Sequence, residues 1–126
     1  MGKQREGSLQ ERIQKYIKSI GGICHKNHGD MISEPGIPDI SVGYKGLYIG
    51  IEAKVDGNTP SRQQGINCRN LWKAGNIAFV AWNLETVKLV FSFIDRWINA
   101  DCTPIQIRNG VETQMILTGI DDGRKW

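Results

Sequence analysis

A chain of 126 residues can bury one sizeable core but not two, so we expect a single domain spanning residues 1–126. Hydrophobic residues make up 40% of the chain and charged residues 23%, and no apolar run is long enough for a membrane span. A net charge of +3 is compatible with a polyanionic partner but too small to establish one. The polar amino terminus and the three scattered cysteines predict a cytoplasmic protein with reduced thiols.

The first half of the chain predicts one helix and three strands. Apolar residues from Leu9 to Ile20 recur at steps of three and four, which indicates an amphipathic helix over about 6–20 that ends at Gly21-Gly22. A short strand is predicted over 23–28, followed by a loop to Pro38. Period-two alternation on both sides of Lys45-Gly46 then predicts a hairpin with strands over 39–43 and 47–55.

The second half predicts a helix, a strand and a mixed tail. Ser61 is the predicted N-cap of a helix that ends near Ala74-Gly75, and residues 76–82 form an apolar run typical of a strand buried on both faces. A third helix is predicted over 84–98, although the run 87–93 leaves a strand open. Asn109-Gly110 between short apolar runs predicts a small hairpin, followed by a frayed end.

The hairpin pattern predicts a pair of carboxylates. A turn at Lys45-Gly46 that keeps the apolar residues on one face places Asp39 opposite Glu52, with Lys54 next along the same face. Like charges at opposed positions are destabilising, and a divalent cation compensates for them. A lysine beside that cation can orient an attacking water, and Gly50 would leave room for substrate. A solvated hairpin is the alternative for a bare Glu-x-Lys, but the opposed Asp39 favours a metal site.

The tetrapeptide Gly36-Ile37-Pro38-Asp39 followed by Glu52-Ala53-Lys54 resembles the PD-(D/E)XK nuclease superfamily, and in detail its virus-type replication-repair nuclease (VRR-NUC) branch. The resemblance covers about 6–82 and includes three further features: the Glu6-x-x-Leu9-Gln10 helix start, Gly21-Gly22, and Ser61-x-x-Gln64 before Ala74-Gly75. It implies an α/β fold with a restriction-endonuclease-like αβββαβ core, a mixed sheet flanked by helices, and residues 83–126 as a helical and irregular extension.

The same resemblance implies magnesium- or manganese-dependent hydrolysis of DNA phosphodiesters. Asp39, Glu52 and the main-chain carbonyl of Ala53 would hold the metal, Lys54 would be catalytic and Gln64 would support it. Two of the assignments have alternatives. Glu6 is in phase with the apolar stripe of its helix, as a third acid near the metal would be, but a carboxylate also favours a helix amino terminus for its dipole. Gln64 faces the sheet, but Ser-x-x-Gln is also a capping box.

Basic residues near these motifs are candidate contacts for DNA phosphates. Arg62, Arg69 and Lys73 fall on one side of the second helix, while Lys26 and His28 precede the loop to Asp39. A solvated helix face is the alternative for the first three. The motif Cys24-His25-x-x-His28 does not predict a zinc site, because alternate residues of a strand point to opposite faces and no further ligand cluster follows.

We therefore predict an endonuclease that acts on branched DNA in the manner of a Holliday junction resolvase, as small stand-alone viral or phage members of the branch do. Symmetric cutting of a junction needs two sites, which predicts a homodimer, with a possible interface on the apolar segment 87–98. A restriction-like, flap or nick nuclease is one alternative. A DNA-binding module that keeps the fold without the chemistry is another.

Overall fold

The computed structural model describes residues 5–27 and 37–126, so His28 and Gly36 lie outside the described residues. The described residues form four helices and four strands, of which the first seven follow the predicted order. They are α1 (Glu6–Ser19), β1 (Ile23–Lys26), β2 (Ile40–Tyr44), β3 (Leu47–Ala53), α2 (Arg62–Lys73), β4 (Ile77–Ala81), α3 (Leu84–Asn99) and α4 (Pro104–Thr118). The predicted αβββαβ core is confirmed, and the open choice over 87–93 is a helix.

The sheet is mixed, with strand order β1-β2-β3-β4. The first two pairings are antiparallel, and β3 runs parallel to β4. Ile40 lies opposite Ile51 and Tyr44 opposite Leu47, which confirms the predicted hairpin register. Lys45 and Gly46 have φ values of 49° and 86°. Positive φ at both central residues is what a tight two-residue hairpin turn requires, so the turn and the apolar pattern specify the same register.

Helices cover both faces of the sheet. Tyr44 of β2 contacts the ring of Phe91 in α3 edge-on, and Phe91 also contacts Tyr16 of α1, so α1 and α3 share one face. Leu71 of α2 packs over Gly50 on the opposite face. All five residues of β4 are buried, as expected for a strand covered on both sides. The hairpin that carries the predicted acids is therefore enclosed by α1 on one face and α2 on the other.

The predicted hairpin around Asn109-Gly110 is wrong, because these residues lie inside α4. Thr103 and Gln106 form a capping box at its start, Pro104 occupies the first turn, and Gly119 ends the helix with φ 73°. Signals at both ends of a helix thus outweigh a local Asn-Gly pair. The glycine has a packing role instead, since a Cβ at position 110 would overlap the indole of Trp97 on α3.

The apolar side chains that predicted a dimer interface over 87–98 are used inside the chain. Phe91, Phe93 and Ile94 are buried, with α1 and α4 packed against α3. This segment therefore presents none of these three side chains to a second copy.

No helix within residues 5–27 and 37–126 is long and apolar enough to cross a membrane.

The predicted frayed end is also wrong, because residues 120–126 pack against α2 and β4. The Val80 N–H donates to the Asp121 carbonyl at 2.8 Å, and the Trp72 indole N–H donates to the Asp122 carbonyl at 2.9 Å. A Cβ at Gly65 would overlap the backbone of Trp126. We call residues 120–126 the C-terminal segment. It packs against the buried face of α2 and is hydrogen-bonded to β4.

Replacing Gly110 with Ala tests the packing of α4 on α3. Helix propensity alone would add about 1 kcal/mol of stability, whereas the overlap with Trp97 should lower the free energy of unfolding by about 1–3 kcal/mol. Gly7→Ala in α1 is the matched control, because a Cβ there meets nothing within 4 Å. We expect urea denaturation to show a loss for the first variant and no loss for the second. A gain at Gly110 would contradict the packing.

Candidate metal and catalytic site

Asp39 and Glu52 lie side by side at the open end of the β2–β3 hairpin. The Ala53 N–H donates to Asp39 Oδ2 at 2.9 Å, and the Asp39 N–H donates to Glu52 Oε1 at 3.2 Å. Each carboxyl group is thus held by a backbone N–H of the other strand or its extension. The geometry follows from the register, because one residue beyond the Ile40–Ile51 pair brings Asp39 opposite Glu52.

Glu52 is buried without a full set of partners. Its side chain is 1% exposed, and Oε2 has no hydrogen-bond partner in the part of the chain that the structure describes. Burial, followed by the charge of Asp39, raises the pKa of Glu52 to about 9. Burial also raises the pKa of Asp39, against the lowering effects of the Ala53 N–H and Lys54. Two acids with raised pKa values and an unpartnered buried oxygen form a donor set that suits a cation.

Lys54 and Glu6 complete this end of the sheet. The Lys54 ammonium lies 3.5 Å from Glu6 Oε1, with side chains 13% and 34% exposed. The Lys54 N–H donates to the Ala81 carbonyl at 3.0 Å, which extends the pairing of β3 with β4 past the last strand residue. The charge of Glu6 contributes to the raised pKa values of both Asp39 and Glu52. Four charged residues from α1 and the hairpin therefore meet at one place.

Within residues 5–27 and 37–126, no group of three or more His, Cys, Asp or Glu side chains is arranged to hold a metal ion by itself. The described contact of Glu6 is with Lys54. Its assignment as a metal ligand stays a prediction.

Gln64 forms the capping box of α2. Its Oε1 accepts from the Ser61 N–H at 2.8 Å, and its own N–H donates to Ser61 Oγ at 3.1 Å. Of the two roles left open by the sequence, the structural one is therefore present. The supporting role in catalysis stays a prediction.

The described members of the predicted DNA-contacting set lie near Asp39 and along α2. Lys26 lies close enough to Asp39 for its charge to lower the pKa of that carboxyl group. Arg62 and Lys73 are exposed at opposite ends of α2. Arg69 donates to the Arg124 carbonyl at 2.7 Å, so it anchors the C-terminal segment. Contacts of these residues with DNA stay predictions.

Gly50 does not leave room for substrate, contrary to the sequence-based prediction. A Cβ at this position would lie 2.8 Å from Pro38 Cγ and 3.0 Å from Leu71 Cδ1. The absence of a side chain instead lets Pro38 and Leu71 pack directly on β3, which brings the neighbouring Asp39 close to Glu52. Asn27 also contributes to the geometry of this site. The sequence patterns did not indicate this role, because the one feature of Asn27 that they show is its position next to the end of β1.

Comparisons with solved structures identify the fold. One match is a VRR-NUC domain, with a TM-score of 0.59 and 24% identity, covering 69% of this chain and 94% of that domain. Another is Hjc, a Holliday junction resolvase from Archaeoglobus fulgidus, with a TM-score of 0.49 and 20% identity over 61% of this chain and 67% of that chain. No protein-family model and no curated protein matches the sequence. The chain thus shares the fold of that VRR-NUC domain, which confirms the resemblance at the level of the fold.

Replacing Glu52 with Gln tests the cost of burying Glu52 in the metal-free protein, because a carboxyl group with its pKa raised to about 9 must take up a proton on folding at neutral pH and an amide need not. The amide has the size of the carboxyl group, keeps an acceptor for the Asp39 N–H and carries no charge. We expect the free energy of unfolding in chelator at neutral pH to rise by about 1–3 kcal/mol. The exposed Glu11→Gln in α1 is the control and should change little. A destabilised Glu52→Gln protein would show that the buried carboxyl group is already compensated.

Proposed function

We propose that this chain is a divalent-metal-dependent nuclease that hydrolyses DNA phosphodiesters, with Asp39, Glu52 and Lys54 at its centre. The observation that carries the proposal is the buried Glu52 with its unpartnered oxygen next to the half-buried Asp39, beside a mostly buried lysine. The nuclease fold supports the proposal. A surface hairpin would leave these groups solvated, whereas here the arrangement costs stability unless a ligand compensates for it.

Each residue of the site has a separate role in the proposed reaction. The carboxylates of Asp39 and Glu52 and the carbonyl of Ala53 would hold Mg²⁺ or Mn²⁺. When bound, such an ion lowers the pKa of a water and offsets phosphate charge. The Lys54 ammonium lies beside the pair, where it can orient the attacking water and stabilise charge that develops on the phosphate. Glu6 keeps that ammonium in place through their 3.5 Å contact, and Gln64 would support it from the start of α2.

The substrate that we propose is branched DNA of the Holliday junction type, as the sequence resemblance implies. Lys26 stands near Asp39 and is the basic residue best placed to meet a phosphate at the site. Arg62 and Lys73 would add contacts along α2. Symmetric cutting of a junction requires a homodimer, which light scattering would detect. A restriction-like, flap or nick nuclease, or a non-catalytic binding module, would give a different result in the assay below.

The nuclease assay compares a four-way junction, a flap, a nicked duplex and a linear duplex in Mg²⁺, Mn²⁺ or chelator. We expect metal-dependent cutting, with paired symmetric nicks in the junction. Asp39→Asn and Lys54→Ala should each lower the rate by about 10²–10³-fold or more, because each removes a group that acts in the transition state. Asp56→Asn and Lys15→Ala, which change exposed residues of the same types, should keep the wild-type rate.

The outcomes separate the alternatives. Cutting only at flaps, at nicks or in linear duplex would show that the protein is a nuclease of that kind and not a junction resolvase. If the folded, metal-binding protein binds DNA without cutting it, the result would favour the non-catalytic DNA-binding module.

Glu6→Gln tests the role of the third acid. Losing the charge beside Lys54 should lower the cleavage rate by about tenfold, since positioning of a catalytic group contributes less than the group itself. Glu11→Gln, on the solvent side of the same helix, should leave the rate unchanged. Equal rates for the two variants would remove Glu6 from the site.

A further inference from the structure

Asp39 lies at the end of the β1–β2 pairing, where the Asn27 N–H donates to the Asp39 carbonyl one residue beyond the Lys26–Ile40 pair. The β1–β2 ladder ends at the Lys26–Ile40 pair, and Asp39 lies just before β2. The preceding Pro38 has no N–H and so cannot donate a ladder hydrogen bond. A chain segment that enters a strand through a proline needs some other contact to fix its path. Asn27, the first residue after β1, supplies that contact.

Asn27 holds the carbonyl groups on both sides of the Asp39 Cα atom. Its backbone N–H donates to the Asp39 carbonyl at 2.8 Å. Its side-chain amide donates to the Pro38 carbonyl at 2.6 Å. With the peptide planes before and after the residue both fixed, the backbone dihedral angles of Asp39 are restrained. The direction in which its carboxyl group leaves the chain is restrained with them.

A second set of contacts ties Asn27 to the hairpin. Its side-chain amide also donates to Ser41 Oγ at 2.9 Å, and Ser41 Oγ lies 2.9 Å from the Tyr48 hydroxyl. The network therefore links β1, β2 and β3 on the side where Asp39 enters the sheet. A side-chain amide with two acceptors keeps one orientation, which an apolar residue in the same space would not provide.

The position of the Asp39 carboxyl group depends on this restraint. Asp39 Oδ2 accepts from the Ala53 N–H at 2.9 Å, and the Asp39 N–H reaches Glu52 at 3.2 Å. A rotation of the Asp39 backbone would break both contacts and separate the two acids. We propose that Asn27 is a positioning residue for Asp39, which sets its carboxyl group beside Glu52 through the Pro38 and Asp39 carbonyls. The catalytic consequence rests on the proposed nuclease function, but the positioning does not.

Amide hydrogen exchange of the metal-free protein, followed by nuclear magnetic resonance, tests the positioning directly. In Asn27→Ala and in Asn27→Asp, which keeps the shape but loses the donor, the Ala53 N–H should exchange about tenfold faster because its acceptor is displaced. The Lys54 N–H, which donates to Ala81, is the internal reference and should keep its rate. Asn99→Ala, at an exposed position of α3, is the control and should change neither rate.

Tyr48→Phe keeps the ring and removes only the hydroxyl at the end of the network, so this variant should still fold. We expect a smaller increase in the exchange rate of the Ala53 N–H than in the Asn27 variants. Unchanged Ala53 exchange in both Asn27 variants would overturn the proposal. Faster exchange at Ala53 and Lys54 together would also overturn it, because that result describes general loosening of the sheet.

Cleavage and Mn²⁺ binding separate this inference from the proposed function. If the wild-type protein cuts DNA, the Asn27 variants should bind Mn²⁺ several-fold more weakly and cut more slowly at a given metal concentration, with partial recovery at high metal. If the wild-type protein cuts nothing, the nuclease proposal fails, while altered Ala53 exchange still establishes the positioning.

Discussion

The register of one hairpin places two carboxyl groups side by side where no counter-charge fully satisfies them. The apolar residues of β2 and β3 must face α1 and α3, and the turn at Lys45-Gly46 allows this in a single register. Asp39 then has to lie opposite Glu52. The chain keeps the pair by giving each acid one backbone N–H, while Glu52 Oε2 receives nothing among the described residues. Stability is lost at this point, which is what the proposed metal site would require of the metal-free protein.

The rest of the fold maintains the burial of that pair. Pro38 and Leu71 close over Gly50, and α2 covers the same face. On the buried face of α2, Gly123 of the C-terminal segment packs against Cys68 so tightly that it has no room for a Cβ. Burial raises the pKa of the Cys68 thiol to about 12, with Glu52, Asp121 and Asp122 adding to the effect. The thiol therefore lies between Glu52 and the C-terminal segment.

The parts that the sequence predicted are those set by local patterns. Strict alternation over 47–55 and a two-residue turn were sufficient for the register, and the register was sufficient for Asp39, Glu52 and Lys54. Helical periodicity placed Glu6 on the inward side of α1, where it meets Lys54. These inferences required only the knowledge of which face of an element is apolar. The spacing of apolar residues along the sequence gives that information directly.

The parts that it missed depend on contacts between distant residues. The Asn-Gly pair in α4 is also typical of a hairpin turn, and besides the signals at the two ends of the helix it is the packing of Gly110 against Trp97 that distinguishes the two structures. A glycine in a strand does not reveal whether substrate or Pro38 will fill the space beside it. The contact of Arg69 with Arg124, and that of Asn27 with Pro38, likewise appear only once the chain is folded.

The central claim is that the Asp39–Glu52 pair exists to bind a divalent cation. Calorimetric titration of Mn²⁺ into the folded wild-type protein and Glu52→Gln at neutral pH tests it most directly. The account predicts saturable binding by the wild-type protein and its loss in the variant, because the amide cannot replace a charged ligand. Absence of binding by the folded wild-type protein, or equal binding by both, would contradict it.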